Sequence, residues 1–191
     1  MAKKHIITLG GLPGSGKSTV KKILGERLGY KTFSTGDFTR TLAQQRGMTL
    51  EEFNTHIANG AKELDHLIDE EQMRIEREDD KYIIDSHLAF HFVPSGFSVY
   101  LNISLDVAAS RIFNDRDAAI RIMSGDTMGS LEEAKARTEL RINNHKDRYM
   151  RHYGIDPYIP SQYICVLNTE SESPEAVAEK ILVAYNDWLG A

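Results

Sequence analysis

Cys165 is the only thiol in this sequence. That excludes an internal disulfide and a cysteine zinc site, and nothing here points to an oxidising compartment. Its place in Tyr163-Ile164-Cys165-Val166-Leu167 reads as a packed strand thiol rather than a nucleophile. Positive charge is also short. Lys and Arg number 23 against 28 Asp and Glu, a net charge of -5, which argues against nucleic acid as the main partner because a broad basic surface would be needed. No apolar run is long enough to span a membrane. Lys3-Lys4 precedes apolar residues as in a secretion signal, but the run is short and breaks into glycines, so no signal and no membrane partner is expected. The expected location is cytoplasmic. Repeats, low-complexity tracts and linkers are absent as well. The 191 residues are therefore read as one domain, 1–191, with a sizeable core.

What the sequence does have is Gly11-Leu12-Pro13-Gly14-Ser15-Gly16-Lys17-Ser18-Thr19. Before it stands a β-branched apolar run, His5 to Leu9. After it, apolar residues recur at helical spacing through Leu28. Strand, glycine-rich turn and helix form the setting of a phosphate-binding loop, and Gly11, Gly16, Lys17 and Ser18 meet G-x-x-x-x-G-K-[S/T]. Glycines let successive N–H groups turn inward, and the helix presents its positive end to the same spot. Gly14, Ser15 and Thr19 complete the expected cradle. Lys17 can reach the β- and γ-phosphates, and the Ser18 hydroxyl can ligate Mg²⁺.

Further strands are expected at 31–34, 81–85, 97–102 and 163–167. Helices are expected at 38–46, 50–57, 61–77, from Ser104 to about 113, from Ser130 to about 153, and after Ser173-Pro174. Thr49 with Glu52, and Ser130 with Glu133, read as capping boxes. Strands alternating with helices predict an α/β fold: five parallel strands with helices on both faces, in three layers. The stretch from Asn114 to Gly129 has no clean period and reads as a mobile segment.

Three constellations carry chemistry. Asp85 ends an apolar strand, where ligands of open α/β sheets bind, and its carboxylate can hold Mg²⁺ or its waters beside Ser18. On the helix after Ser130, Arg137, Arg141, Arg148 and Arg151 fall within roughly 80° of one another, whereas Leu131, Ile142, Tyr149 and Tyr153 fall on another face. Between Lys135 and Arg151 six basic residues stand against two acidic ones, so an acidic protein aims concentrated positive charge at an anion. Arg111 and Arg116 flank the start of the mobile segment and can join them when it closes. The third constellation is Ser34-Thr35-Gly36-Asp37-Phe38-Thr39-Arg40, in which Arg40 can hold an acceptor phosphate.

Together these residues resemble a P-loop nucleoside monophosphate kinase. More narrowly, the chain is similar to the compact archaeal-type cytidylate kinases. The residues that carry this are Leu28 to Lys31, Ser34 to Asp37, Arg46 to Asn54, Arg141, Arg148-Tyr149 and Tyr153 to Asp156. The resemblance implies a P-loop NTPase fold that transfers the ATP γ-phosphoryl to CMP or dCMP with Mg²⁺. It implies an acceptor-binding helical region at about 36–80 and a lid at about 114–130 that closes over the phosphates. Lys17, Arg141 and Arg148 would stabilise the transferring group, Arg40 would hold the acceptor phosphate, Asp37 would lie in the acceptor pocket, and Arg137 is expected on the substrate side. The family commonly has Gly-Arg after strand three. Here Ser86-His87 follows Asp85, so His87 is expected on the acceptor side with a pH-dependent charge. A kinase for a sugar or a shikimate-like acid, or a nucleotide-dependent switch, stays open as an alternative. The switch lacks D-x-x-G after strand three. The sequence does not fix the oligomeric state; a monomer is favoured.

Overall fold

A computed structural model describes residues 3–49, 52–53, 62–114 and 129–191. Five strands form one parallel sheet: β1 (Ile6–Gly11), β2 (Lys31–Ser34), β3 (Tyr82–Asp85), β4 (Phe97–Asn102) and β5 (Cys165–Asn168). The spatial order is β2-β3-β1-β4-β5. The chain fills one side of β1 and then the other, which leaves a crevice beside its carboxyl end.

Strand alternation builds two cores from one sheet. Ile7 and Leu9 point to one face, where Val20 and Leu24 of α1 (Lys17–Leu28) and Val177, Ala178, Ile181 and Tyr185 of α7 (Pro174–Gly190) bury them. Ile6 and Ile84 point to the other face. There Ile75 of α3 (Lys62–Glu78), with Ala89 of α4 (Ala89–Phe92) and neighbouring Val93, completes a second core. All of β1 is buried, and each such large apolar side chain contributes about 1.5–3 kcal/mol on leaving water. The expected three-layer α/β sandwich is the fold observed.

Two boundaries differ from expectation. Thr35-Gly36-Asp37 reads as a turn, but α2 (Thr35–Gln45) already begins there, because the Ser34 hydroxyl accepts the Asp37 N–H at 3.4 Å and caps it. The strand expected at 163–167 starts at Cys165, because Tyr163 turns inward to bond the Pro157 carbonyl at 2.9 Å. The short α4 has no periodic signal at all. Other signals hold. Thr49 and Glu52 exchange both capping-box bonds, at 2.8 and 3.2 Å. Ser104 precedes α5 (Leu105–Asn114). Ser130 caps α6 (Leu131–Tyr153) through the Glu133 N–H at 3.1 Å, and Gly154 in the left-handed region ends it. On α6, Leu131 is 42% exposed rather than packed. Most of the helix expected at 50–57, Arg116 and nearly all of the lid lie outside the described residues.

Candidate active site

At the carboxyl edge, β1 runs into the glycine loop and then α1. Gly14 has φ +82°, and a Cβ there would meet the Ala108 carbonyl oxygen at 2.6 Å, so no larger residue fits. Gly16 has φ +92° with open space around its Cβ position. It caps α1, whose first ladder bond runs from the Val20 N–H to the Gly16 carbonyl at 3.0 Å. The N–H groups of Lys17, Ser18 and Thr19 therefore have no carbonyl within the helix, an arrangement that suits an anion. The Lys17 ammonium folds over the loop and donates to the Gly11 carbonyl at 3.0 Å and the Leu12 carbonyl at 2.8 Å. Burial lowers its pKa to about 8, the Arg141 guanidinium pushes the same way, and the Asp85 carboxylate opposes both.

Parallel register brings the next residues to the same edge. Leu9 pairs with Asp85, and Asp85 with Ser34. Asp85 is 7% exposed. It accepts the Ser18 hydroxyl at 3.1 Å on Oδ2, while its backbone carbonyl lies 3.4 Å from the Thr35 hydroxyl. A carboxylate beside a hydroxyl at the phosphate loop is a hard-oxygen pair of the kind Mg²⁺ takes when phosphates supply further ligands. Among the described residues no group of three or more His, Cys, Asp or Glu could hold a metal ion.

The arginines of α6 border its buried stripe instead of opposing it. Ala134 and Thr138 are buried, and His145 and Tyr149 turn toward the sheet. Arg141 and Arg148 lie roughly 40–60° from His145 around the helix, and each acts electrostatically on the buried groups below. Arg148 also donates to the Tyr149 hydroxyl at 2.9 Å with its guanidinium 4.8 Å from that ring. Arg137 stands further out, bridged to Glu133 at 2.8 Å. Two other basic residues on α6 hold the frame: Lys135 pairs with Asp106 and Lys146 with Asp156. Arg111 donates to the Glu170 carbonyl at 3.1 Å and also reaches the Thr169 carbonyl, while the Thr169 hydroxyl touches the Ser15 carbonyl at 3.3 Å.

His87 departs most from its expected role. Its ring lies 4.8 Å from His145, 5.6 Å from Tyr158 and 6.2 Å from Tyr149. Its Nδ1 is buried and has no hydrogen-bond partner among the described residues. Burial, then His145, Lys17, Arg141 and Arg148, hold its pKa well below the ordinary range. The ring is therefore neutral rather than a pH-dependent cation near neutrality. His145 is held down by burial and the same cations, and its Nδ1 meets the Tyr158 hydroxyl at 3.1 Å. Neither His145 nor Tyr158 stands out in the sequence as a site residue. The available signal was their nearness to Arg141 and to Gly154-Ile155-Asp156.

In the first turn of α2, Asp37 accepts from Lys21 at 3.1 Å and from Arg40. Partial burial raises its pKa, but the bonds from Arg40 and Lys21 outweigh that and keep it low. The structure thus brings Lys17, Ser18 and Asp85 together, with Arg141 near enough to act on Lys17 and Arg148 beside the His87 and His145 rings. Asp37 and Arg40 form a second group, reached from α1 by Lys21.

A protein-family model described as an AAA domain matches residues 10–133. The cytidylate kinase of Sulfolobus acidocaldarius is 37% identical over 179 residues, 92% of this chain and 91% of that protein. The cytidylate kinase of Sulfurisphaera tokodaii is 35% identical over 188 residues, 96% of each. Among solved structures, shikimate kinase from Aquifex aeolicus superposes with a TM-score of 0.60 over 97% of this chain and 98% of that one. At 19% identity that likeness speaks for the fold alone.

Proposed function

The chain belongs to the archaeal-type cytidylate kinases and is a P-loop nucleoside monophosphate kinase; on that premise we propose that it transfers the ATP γ-phosphoryl group, with Mg²⁺, to CMP or dCMP. The observation that carries the reading is the convergence of Lys17, the Ser18–Asp85 pair and Arg141 at one loop that opens a helix. Phosphoryl transfer asks for positioning and charge stabilisation, and no nucleophilic side chain. Lys17 exchanges its two carbonyl partners for phosphate oxygens. Arg141 and Arg148 meet charge that builds on the transferring group. Ser18 and Asp85 would hold Mg²⁺, which neutralises phosphate charge when bound. Asp37 and Arg40 take the acceptor, within a helical region of about 36–80, and the stretch 114–130 serves as lid. Arg137, bridged to Glu133, reaches the acceptor only if that bridge opens.

The base preference rests on the names of the relatives. The test is a panel of nucleoside monophosphates, shikimate and gluconate with ATP and Mg²⁺, read as ADP release. CMP or dCMP should be fastest, and chelating the metal should abolish the rate. Stimulation by a non-nucleotide with none by any monophosphate overturns the reading.

A further inference from the structure

Lys21 lies one turn beyond Lys17 on α1, so the two side chains share a face. Its side chain is only 11% exposed, low for a residue that normally keeps its ammonium in water. The ammonium stands 3.1 Å from Asp37 Oδ2, and Arg40 donates to the other oxygen of the same carboxylate. Two cations thus meet one anion between α1 and the start of α2, leaving that spot with one net positive charge. The imidazole of His87, meanwhile, is packed among His145, Tyr149 and Tyr158 and offers no cation there.

We propose that Lys21, together with Arg40, binds the phosphate of the acceptor nucleotide, and that Asp37 holds both cations in place for it. The proposal rests on the nucleoside monophosphate kinase reading and assigns one contact within it. Transfer requires the attacking oxygen to approach the terminal phosphorus of the donor to about 3–3.5 Å. Side chains at i and i+4 of a helix have Cβ atoms about 5–6 Å apart. Lys17 and Lys21 therefore match two adjacent phosphates, the first on the donor and the second on the acceptor. The competing role is a bridge that only ties α1 to α2. Asp37 is 60% exposed, and an ion pair of that kind adds little to stability.

Lys21→Met in the full chain separates the two roles. With ATP, Mg²⁺ and the best monophosphate of the panel, KM for the acceptor should rise roughly tenfold or more, as for loss of one charged hydrogen bond. KM for ATP should stay within twofold and the melting temperature should hold. Lys21→Arg should recover most of the acceptor affinity. Inorganic sulfate should compete with the acceptor in the unsubstituted enzyme and more weakly in Lys21→Met. An acceptor KM within twofold of the original, or equal rises for both nucleotides, overturns the assignment and leaves the kinase reading intact. If the unsubstituted protein phosphorylates no monophosphate, both fall together.

Discussion

Replacing His87 and His145 together by Asn tests whether the floor of the site is neutral. Asn keeps a polar atom near the position of Nδ1 and cannot titrate. Both imidazoles have native pKa values pushed well down, by burial first and then by Lys17, Arg141, Arg148 and, for His87, its neighbour His145. In the unfolded chain each titrates near 6.5. Below that pH the unfolded state binds more protons than the native state, so unfolding free energy rises with pH. The contribution is complete above about pH 6.5 and is lost as pH falls toward the native values. At pH 5.5 an unfolded imidazole is about ten parts protonated to one, while a buried neutral one is unchanged. The loss relative to pH 8 is then at most RT ln 11, about 1.4 kcal/mol for each ring and about 3 kcal/mol for the pair, the limit reached when neither folded ring takes up a proton. In a protein of this size that corresponds to roughly 6–12 °C in melting temperature. Urea unfolding at pH 8, 6.5 and 5.5 should show this extra loss in the unsubstituted protein and not in the double variant. All other titrating groups are common to both, so the difference isolates the pair. Parallel stability curves would refute the argument, since they would mean that the folded rings accept protons as freely as unfolded ones. The same reasoning predicts that His87→Arg destabilises the protein at every pH, because it forces a fixed charge beside three cations.

Arg141→Ala should lower kcat by about 100-fold or more while ATP affinity changes by less than about fivefold, because its charge matters most as charge builds on the transferring group. Steady-state kinetics with equilibrium nucleotide binding decides it, and equal losses in both would make Arg141 a ground-state binder. Gly10→Ala should cost about 1–3 kcal/mol, since its Cβ would lie 2.4 Å from the Tyr163 hydroxyl of a ring held by Pro157, Phe90 and Tyr100. Pairing it with Tyr163→Ala should remove most of the extra cost in thermal unfolding, and simple additivity would show that the clash is not the cause.

The phosphate loop, the parallel α/β class and most caps were legible in the chain because each is local chemistry. Glycines and Lys17 at fixed spacing dictate a cradle, short continuous apolar runs dictate buried strands, and Ser130 or Ser173 dictates a helix start. Asp85 could be placed beside the glycine loop because a strand end is itself a local mark, and it lies there, accepting the Ser18 hydroxyl. The helical wheel of α6 grouped Arg137 with Arg141 and Arg148, since spacing alone treats one face as uniform. Packing divided that face: His145 turned toward the sheet and carried its nearest arginines along, whereas Arg137 settled on Glu133. Likewise, nothing local says that His87 would be covered by a ring 58 residues away, or that Lys21 would reach Asp37. Charge state and pairing depend on which elements come to lie side by side. The sequence by itself determined the strand, the glycine loop and the helix that follows it; the tertiary structure decided the charge of His87 and the partners of Lys21 and Arg40, because burial and long-range contact set both.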